Sequence, residues 1–138
     1  MTLYVDTSAL LRVVLGEAGA LEEIRTADLL VSSELLAVET RRTIDRLHRQ
    51  GVLSSEQFAE RSAIVVDWLE AIDLVLLRPV ILNRAGDPLP IPVGTLDAIH
   101  LATALVWRER HQRPVTMATH DTTLGTVART YALPVLGC

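Results

Sequence analysis

Residues 1–8 read MTLYVDTS and give the strongest indication of the fold class. The apolar run Leu3-Tyr4-Val5 predicts a short strand, which Asp6 ends. From Thr7 to Leu15 apolar residues recur at helical spacing until Gly16 stops the pattern. A strand that passes through a tight turn into a helix is the first half of a β-α-β unit, so the sequence starts as a parallel α/β protein does.

The alternation of strand and helix continues along the chain. Further strands are predicted at residues 29–31, 74–76, 115–118 and 134–136, the last at a sheet edge. Further helices are predicted at residues 18–26, 33–50, 54–71, 80–84, 95–110 and 121–131. Residues 86–94 contain three prolines and predict the one long loop, to which we assign no role. The pattern predicts a three-layer α/β/α sandwich around a mostly parallel sheet of four or five strands.

Composition places the chain among ordinary globular proteins. It has 138 residues, of which 49% are hydrophobic and 22% charged, so we predict one domain over residues 1–138. Charged residues interrupt every long apolar stretch, which argues against a membrane span, and no secretory leader precedes the first strand, so we expect a cytoplasmic protein.

Some classes of chemistry are excluded by residues that the chain lacks. Cys138 is the single cysteine, so an internal disulfide and a thiolate zinc site are both ruled out. All 13 basic residues are arginine, and a phosphate-binding P-loop requires a lysine. The net charge of −4 argues against a purely electrostatic clamp on nucleic acid, although a local arginine cluster remains compatible with it.

Four acids occupy positions where functional groups gather in parallel sheets. Asp6 and Asp121 each follow a predicted strand and precede a helix. Helix capping explains either one alone, but two at equivalent positions weaken that explanation. Glu39 borders the apolar stripe of its helix, where a solvated glutamate is the simple alternative. Asp97 lies in the first turn of its helix, where compensation of the helix dipole is the simple alternative.

Convergence of these acids would call for a cation. Mutual repulsion would raise some of the pKa values and destabilise the fold unless a divalent ion lay between the carboxylates. Hard oxygen ligands, with no cysteine ligand and no histidine pair at metal spacing, favour Mg²⁺ or Mn²⁺ over zinc. Such ions activate water and offset charge on a phosphodiester, which is the chemistry of a nuclease.

Four blocks of sequence carry a resemblance to a known family. In chain order they are YVDTSAL, SELLAVETRR, LDAIHLATA and THDTTLGTVAR. Together they resemble the PIN-domain ribonucleases and, more narrowly, the VapC toxins of bacterial toxin–antitoxin pairs. The resemblance implies an endoribonuclease that cleaves structured RNA, whether tRNA, rRNA or mRNA, with metal-activated water. It also implies inhibition by a cognate VapB-like antitoxin, in a homodimer and a toxin–antitoxin hetero-oligomer.

The resemblance assigns roles to individual positions. The acids that match the family's Mg²⁺- or Mn²⁺-binding quartet are Asp6, Glu39, Asp97 and Asp121. Two hydroxyl residues, Ser8 and Thr119, match positions that support those carboxylates. Arg42 matches a basic position of the family, and Arg46 shares its helical face, so both are candidate contacts for substrate phosphate; a solvated face is the alternative for Arg46.

Other interpretations stay open at this stage. A non-catalytic α/β binding domain needs none of these acids, whereas a phosphoacceptor signalling domain and a dehalogenase-like phosphatase normally require a lysine. His100 and His120 adjoin the acids and could move a proton, but we predict structural roles for both. Trp68 and Trp107 are candidate anchors of a homodimer, and core packing explains them equally well.

Overall fold

A computed structural model describes all residues, 1–138, as five strands and seven helices. The strands are β1 Thr2–Val5, β2 Leu29–Ser33, β3 Asp73–Val75, β4 Thr116–Ala118 and β5 Val135–Leu136. The helices are α1 Thr7–Leu15, α2 Glu23–Thr26, α3 Leu35–Arg49, α4 Ser55–Ala71, α5 Pro79–Ala85, α6 Thr95–His111 and α7 Thr122–Thr130. No helix has the length and apolarity needed to cross a membrane.

The strands form one sheet in the order β3-β2-β1-β4-β5, and every pair is parallel. β1 lies at the centre, with Tyr4 opposite Val31 on one side and Met117 on the other. The chain builds outward from β1 to β3 and then returns to start β4 on the opposite side. In open parallel sheets such a reversal of strand order leaves a crevice at the carboxyl ends of the central strands. Asp6 follows β1 directly at that crevice.

Helices cover both faces of the sheet. Leu3 and Val5 of β1 belong to a core cluster shared with α1, α3 and α4, while Tyr4 points to the other face and joins a cluster shared with α6 and α7. This alternation follows from the two-residue period of a strand. α5 packs on the outside of α6 through Ile81. The predicted three-layer α/β/α sandwich is therefore confirmed, with five strands that are all parallel.

Most predicted elements are confirmed to within a few residues, and one helix is largely wrong. Of the predicted helix 18–26 only Glu23–Thr26 forms. Gly19 adopts a positive φ of 80°, which is incompatible with a right-handed helix at the start of this segment. β3 begins one residue early, at Asp73, which pairs with Val31. Ser33, predicted as a cap of α3, is the last residue of β2. Its hydroxyl nevertheless accepts a hydrogen bond from the Leu35 amide of α3 at 3.0 Å.

The structure also shows the positions of the predicted capping box, the proline-rich loop and the two tryptophans. The predicted capping box opens α4, with Ser54 and Gln57 bonding each other's backbone amides. Residues 86–94 are irregular, and Leu89, Ile91 and Val93 pack against the α6 side of the core. Trp107 is only 6% exposed and is a core residue, whereas Trp68 is half-buried against the opposite cluster. Core packing therefore accounts for Trp107.

Candidate active site

Asp6 is the most strongly held of the four acids. It is 4% exposed, and one of its two carboxylate oxygens accepts three hydrogen bonds. The Ser8 hydroxyl donates to Oδ2 at 2.6 Å, the Thr119 hydroxyl at 2.8 Å and the Ser8 amide at 3.3 Å. Oδ1 accepts no hydrogen bond, and the His100 Nε2 lies 3.7 Å from it. Asp6 is thus fixed through one oxygen and leaves the other available.

The two hydroxyl groups also join the turns at the ends of β1 and β4. Ser8 Oγ accepts the His120 amide at 2.9 Å, and Thr119 Oγ1 accepts the Asp121 amide at 3.0 Å. Each hydroxyl therefore donates its proton to Asp6 and accepts a hydrogen bond from the β4–α7 turn. The backbone amides hold the two hydroxyl groups in place, and the hydroxyl groups in turn hold the Asp6 carboxylate in one direction.

Glu39 is held in the same one-sided way. It lies in the second turn of α3, half-buried, and its Oε1 accepts the Thr7 hydroxyl at 2.8 Å and approaches His100 Nε2 at 2.6 Å. No hydrogen bond reaches Oε2. Burial acts to raise the pKa of Glu39, but the hydrogen bond and charge of His100 and the hydrogen bond of Thr7 outweigh it, and the net pKa is lowered. Glu39 is therefore an ionised carboxylate at neutral pH.

Asp97 has no hydrogen bond to offset its burial in the first turn of α6. Burial is the largest cause that raises the pKa of this carboxyl to about 6, followed by the negative charges of Asp121 and Asp6. Glu39 adds to the increase, and only His100 opposes it. Like charges produce such a shift only at short range. The electrostatic environment of Asp97 thus contains all three of the other acids.

Asp121 caps a helix and also lies close enough to Asp97 for its charge to act on that acid. It is the N-cap of α7, where its Oδ1 accepts the Leu124 amide at 2.9 Å. Its Oδ2 accepts no hydrogen bond, and its charge acts on Asp97 across the crevice. Capping is therefore correct for Asp121, and it leaves the second carboxylate oxygen without a protein donor.

Comparison with known proteins identifies the family of the chain. A family model described as the PIN domain matches residues 3–129, which contain all four acids. The chain belongs to the PIN-domain family. It is also similar to Ribonuclease VapC46 of Mycobacterium tuberculosis (strain ATCC 25618 / H37Rv), with 37% identity over 105 residues that cover 74% of this chain and 73% of that protein. The resemblance inferred from the four sequence blocks is confirmed.

The donor set of this PIN domain fits a hydrated divalent cation better than a closed metal cage. No group of three or more His, Cys, Asp or Glu side chains is arranged so that it could hold a metal ion by itself. Mg²⁺ does not need such a cage, because it usually keeps several waters and binds through one or two carboxylates. Asp6, Glu39 and Asp121 each present an oxygen without a protein donor, and Asp97 presents two. All are hard ligands of the kind that Mg²⁺ and Mn²⁺ prefer.

The two candidate phosphate-binding arginines lie on the exposed side of α3. Arg42 is 74% exposed, and its Nη1 lies 3.4 Å from Asp45 Oδ2. Arg46 is exposed and forms no ion pair. Exposed ion pairs are weak, so both guanidinium groups of the PIN domain are free to meet an incoming phosphate. Their contact with substrate stays a prediction.

Sequence reasoning missed the polar partners of Glu39. Thr7 directly follows Asp6, and its hydroxyl reaches across to α3 rather than serving its own helix. His100 is buried as predicted, but it contacts Glu39 and also the phenol of Tyr4 at 2.8 Å. His120 Nδ1 donates to the Gly137 carbonyl at 3.0 Å. The one available signal was the position of His100, one turn after Asp97 on the same helix.

An apolar groove adjoins the acids without containing any of them. It has a volume of about 480 Å³ and is formed by α5, the first turns of α6 and the proline-rich loop, with Asp87 as its only charged lining residue. Ala98, next to Asp97, forms part of its wall. The groove therefore lies beside the acidic crevice of the PIN domain.

Proposed function

We propose that this PIN domain is an endoribonuclease toxin that uses Mg²⁺, with Mn²⁺ as the alternative ion, to cleave structured RNA in the cytoplasm. tRNA, rRNA and mRNA are all candidate substrates. The observation that carries the proposal is the proximity of the acids. His100 Nε2 lies 2.6 Å from Glu39 Oε1 and 3.7 Å from Asp6 Oδ1, and the charges of the other three acids act on half-buried Asp97. The similarity to a ribonuclease of the VapC group supports the same function.

The proposed chemistry divides between a bound cation and the side chains that hold it. Asp6, Glu39, Asp97 and Asp121 would hold the ion through the oxygens that accept no protein hydrogen bond. When bound, such an ion activates water and offsets charge on the phosphodiester during in-line displacement. Ser8 and Thr119 keep Asp6 in a single orientation, so little reorganisation is needed when the substrate arrives.

The arginines of α3 would orient the RNA. Arg42 lies three residues after Glu39 and Arg46 four residues after Arg42, so all three share a helical face. A guanidinium binds phosphate oxygens with two parallel hydrogen bonds, which fixes the backbone of the RNA relative to the acids. RNA shape then determines which bond reaches the crevice.

The other interpretations of the sequence receive less support. A phosphoacceptor domain needs an exposed aspartate and normally a lysine, whereas the side chain of Asp6 is 6% exposed and the chain has no lysine. A purely binding domain gains nothing from a half-buried Asp97 that costs stability. No observation favours either over a nuclease.

Substitution of Asp6 tests the proposed activity. Asp6→Asn keeps the shape and one acceptor oxygen for Ser8 and Thr119 but removes the negative charge. We expect cleavage of a structured RNA in Mg²⁺ to fall at least ~10²-fold with the circular dichroism spectrum unchanged. Asp67→Asn, at an exposed acid of α4 outside the crevice, serves as the matched control and should cleave normally. Normal cleavage by Asp6→Asn would overturn the proposal.

The proposed partners require separate tests. Expression of the chain alone should arrest growth, and co-expression of a cognate VapB-like antitoxin should restore it by forming a hetero-oligomer. Asp6→Asn should not arrest growth. Harmless expression of a chain that cleaves RNA in vitro would contradict the toxin role. We also propose a homodimer, and a monomer mass in light scattering without the partner would exclude it.

A further inference from the structure

His100 is a buried histidine for which the proposed reaction has no use. It is 1% exposed and lies between the central strand and two helices. Its Nδ1 is 2.8 Å from the Tyr4 hydroxyl of β1, and its Nε2 is 2.6 Å from Glu39 Oε1 on α3. Both ring nitrogens are therefore engaged, and one of them contacts a proposed ligand of the cation.

The contact with Glu39 places a hydrogen on Nε2 of His100. Tyr4 is completely buried, and burial is the main cause that raises the pKa of its phenol far above the ordinary value, so the phenol stays neutral. The Tyr4 hydroxyl lies 2.8 Å from His100 Nδ1 and holds that edge of the ring. A carboxylate oxygen can only accept, so His100 Nε2 carries a hydrogen and donates it to Glu39 Oε1. The ring therefore links the Tyr4 hydroxyl of β1 to Glu39 of α3.

We propose that Tyr4 and His100 are positioning residues that set the orientation of the Glu39 carboxylate for cation binding. Together with Thr7 they occupy Oε1 and leave Oε2 as the oxygen available to an ion. The same Nε2 lies 3.7 Å from Asp6 Oδ1, so the imidazole also sets the spacing between the two acids. This inference rests on the proposed function, because it deepens the account of the same site.

Packing alone is the competing explanation. The rings of Tyr4 and His100 meet edge to face, with centroids 5.8 Å apart and an interplanar angle of 75°, as two core residues would. Tyr4→Phe separates the two explanations, because it keeps the ring and its packing and removes only the hydroxyl that contacts His100 Nδ1. Tyr131→Phe is a matched control, since Tyr131 is the other tyrosine of the chain and its hydroxyl forms no hydrogen bond.

Mn²⁺ binding to the full chain, measured by isothermal titration calorimetry, tests the inference without depending on catalysis. We expect Tyr4→Phe and His100→Leu to weaken Mn²⁺ binding about tenfold or more, as removal of a group that orients a ligand does. His100→Gln can place an amide N–H near the position of Nε2, and it should recover affinity to within about threefold of the wild type on the same scale. Tyr131→Phe should bind as the wild type does.

Controls separate failure of this inference from failure of the proposed function. Val106→Ala truncates a buried residue of α6 that faces α5, so it reports the effect of general destabilisation of this helix. If Val106→Ala weakens Mn²⁺ binding as much as Tyr4→Phe, or if Tyr4→Phe binds normally, the positioning role is overturned while Asp6→Asn still shows loss of the ion. If the wild type binds no Mn²⁺, both the inference and the proposed function are overturned. If His100→Leu does not fold, Tyr4→Phe and His100→Gln decide the question.

Discussion

Replacement of Asp97 by asparagine should stabilise the protein when no divalent ion is present. Burial and the charges of Asp121 and Asp6 raise the pKa of Asp97 to about 6, so its ionised form is disfavoured in the folded state. The substituted asparagine would retain the size of the side chain and remove the charge. Asp97→Asn therefore relieves a repulsion that the wild type experiences at neutral pH.

The magnitude follows from the size of the pKa change. A shift from the ordinary value of 3.8 to about 6 corresponds to at most ~3 kcal/mol at 1.36 kcal/mol per pKa unit. Because Asp97 is only half-buried, solvent screening reduces the expected gain to ~1–2 kcal/mol. Loss of the favourable interaction with the N-terminus of α6 subtracts about 0.3–1 kcal/mol. We expect a net gain of ~1 kcal/mol, or roughly 3–5 °C in Tm for a domain of this size.

The gain should depend on pH in a defined direction. Below about pH 4 the Asp97 carboxyl is protonated in the folded and unfolded states alike and costs nothing. Between about pH 4 and 6 the unfolded chain loses the proton first, so the wild type loses stability as pH rises, and above about pH 6 the full cost is present. The lowered pKa of Glu39 acts in the opposite sense, but it is common to both proteins and cancels in the difference.

Urea denaturation in EDTA, followed by tryptophan fluorescence at about pH 4.5 and 7.5, measures this difference. Asp97→Asn should exceed the wild type in stability at the higher pH and nearly match it at the lower one. Added Mg²⁺ should stabilise the wild type more than the variant, because ligand binding to the folded state alone stabilises it. A variant that is less stable at the higher pH, or a difference that does not change with pH, would refute the view that the acids repel one another.

Three further substitutions test other parts of the site. Thr119→Val removes a donor to Asp6 and an acceptor for the Asp121 amide, so cleavage should fall about 10–100-fold in a kinetic assay while the protein remains folded. Gly137→Ala should lower Tm by several degrees in calorimetry, since φ is +103° and a Cβ would clash with the Thr119 carbonyl, a cost of ~1–2 kcal/mol or more. Arg42→Ala should reduce the salt dependence of RNA binding by about one unit of slope in filter-binding titrations.

The sheet was predictable because its signals are local. Leu3-Tyr4-Val5 followed by Asp6 combines a strand pattern with a helix cap, and neither depends on distant residues. The predicted helix 18–26 was wrong for a local reason too, because its composition allows a helix while Gly19 takes up a left-handed conformation. Hydrophobic periodicity indicates which face of a segment is apolar, but it does not predict which backbone conformation a glycine adopts.

The acids were predictable from topology, and their hydrogen-bond partners were not. Parallel strands deliver their carboxyl ends to one edge, so Asp6 and Asp121 follow from strand order alone. The contact between Tyr4 and His100 joins residues 96 positions apart, and that between Thr7 and Glu39 joins residues 32 apart. Such contacts depend on the precise positions of α3 and α6, which pack against opposite faces of the sheet. A spacing pattern along the chain contains no measure of that packing.

Unequal hydrogen bonding divides the four acids into those that stabilise the fold and one that does not. Asp6 accepts three hydrogen bonds, whereas Asp97 accepts none and lies among like charges. Asp6→Asn should therefore lose activity without gaining stability, because an amide is a weaker acceptor for Ser8 and Thr119. Asp97→Asn should lose activity and gain stability. If both variants lose activity but only Asp97→Asn gains stability, the charge of Asp97 serves to bind a ligand. A residue that served only the fold would not be kept at a net cost in stability.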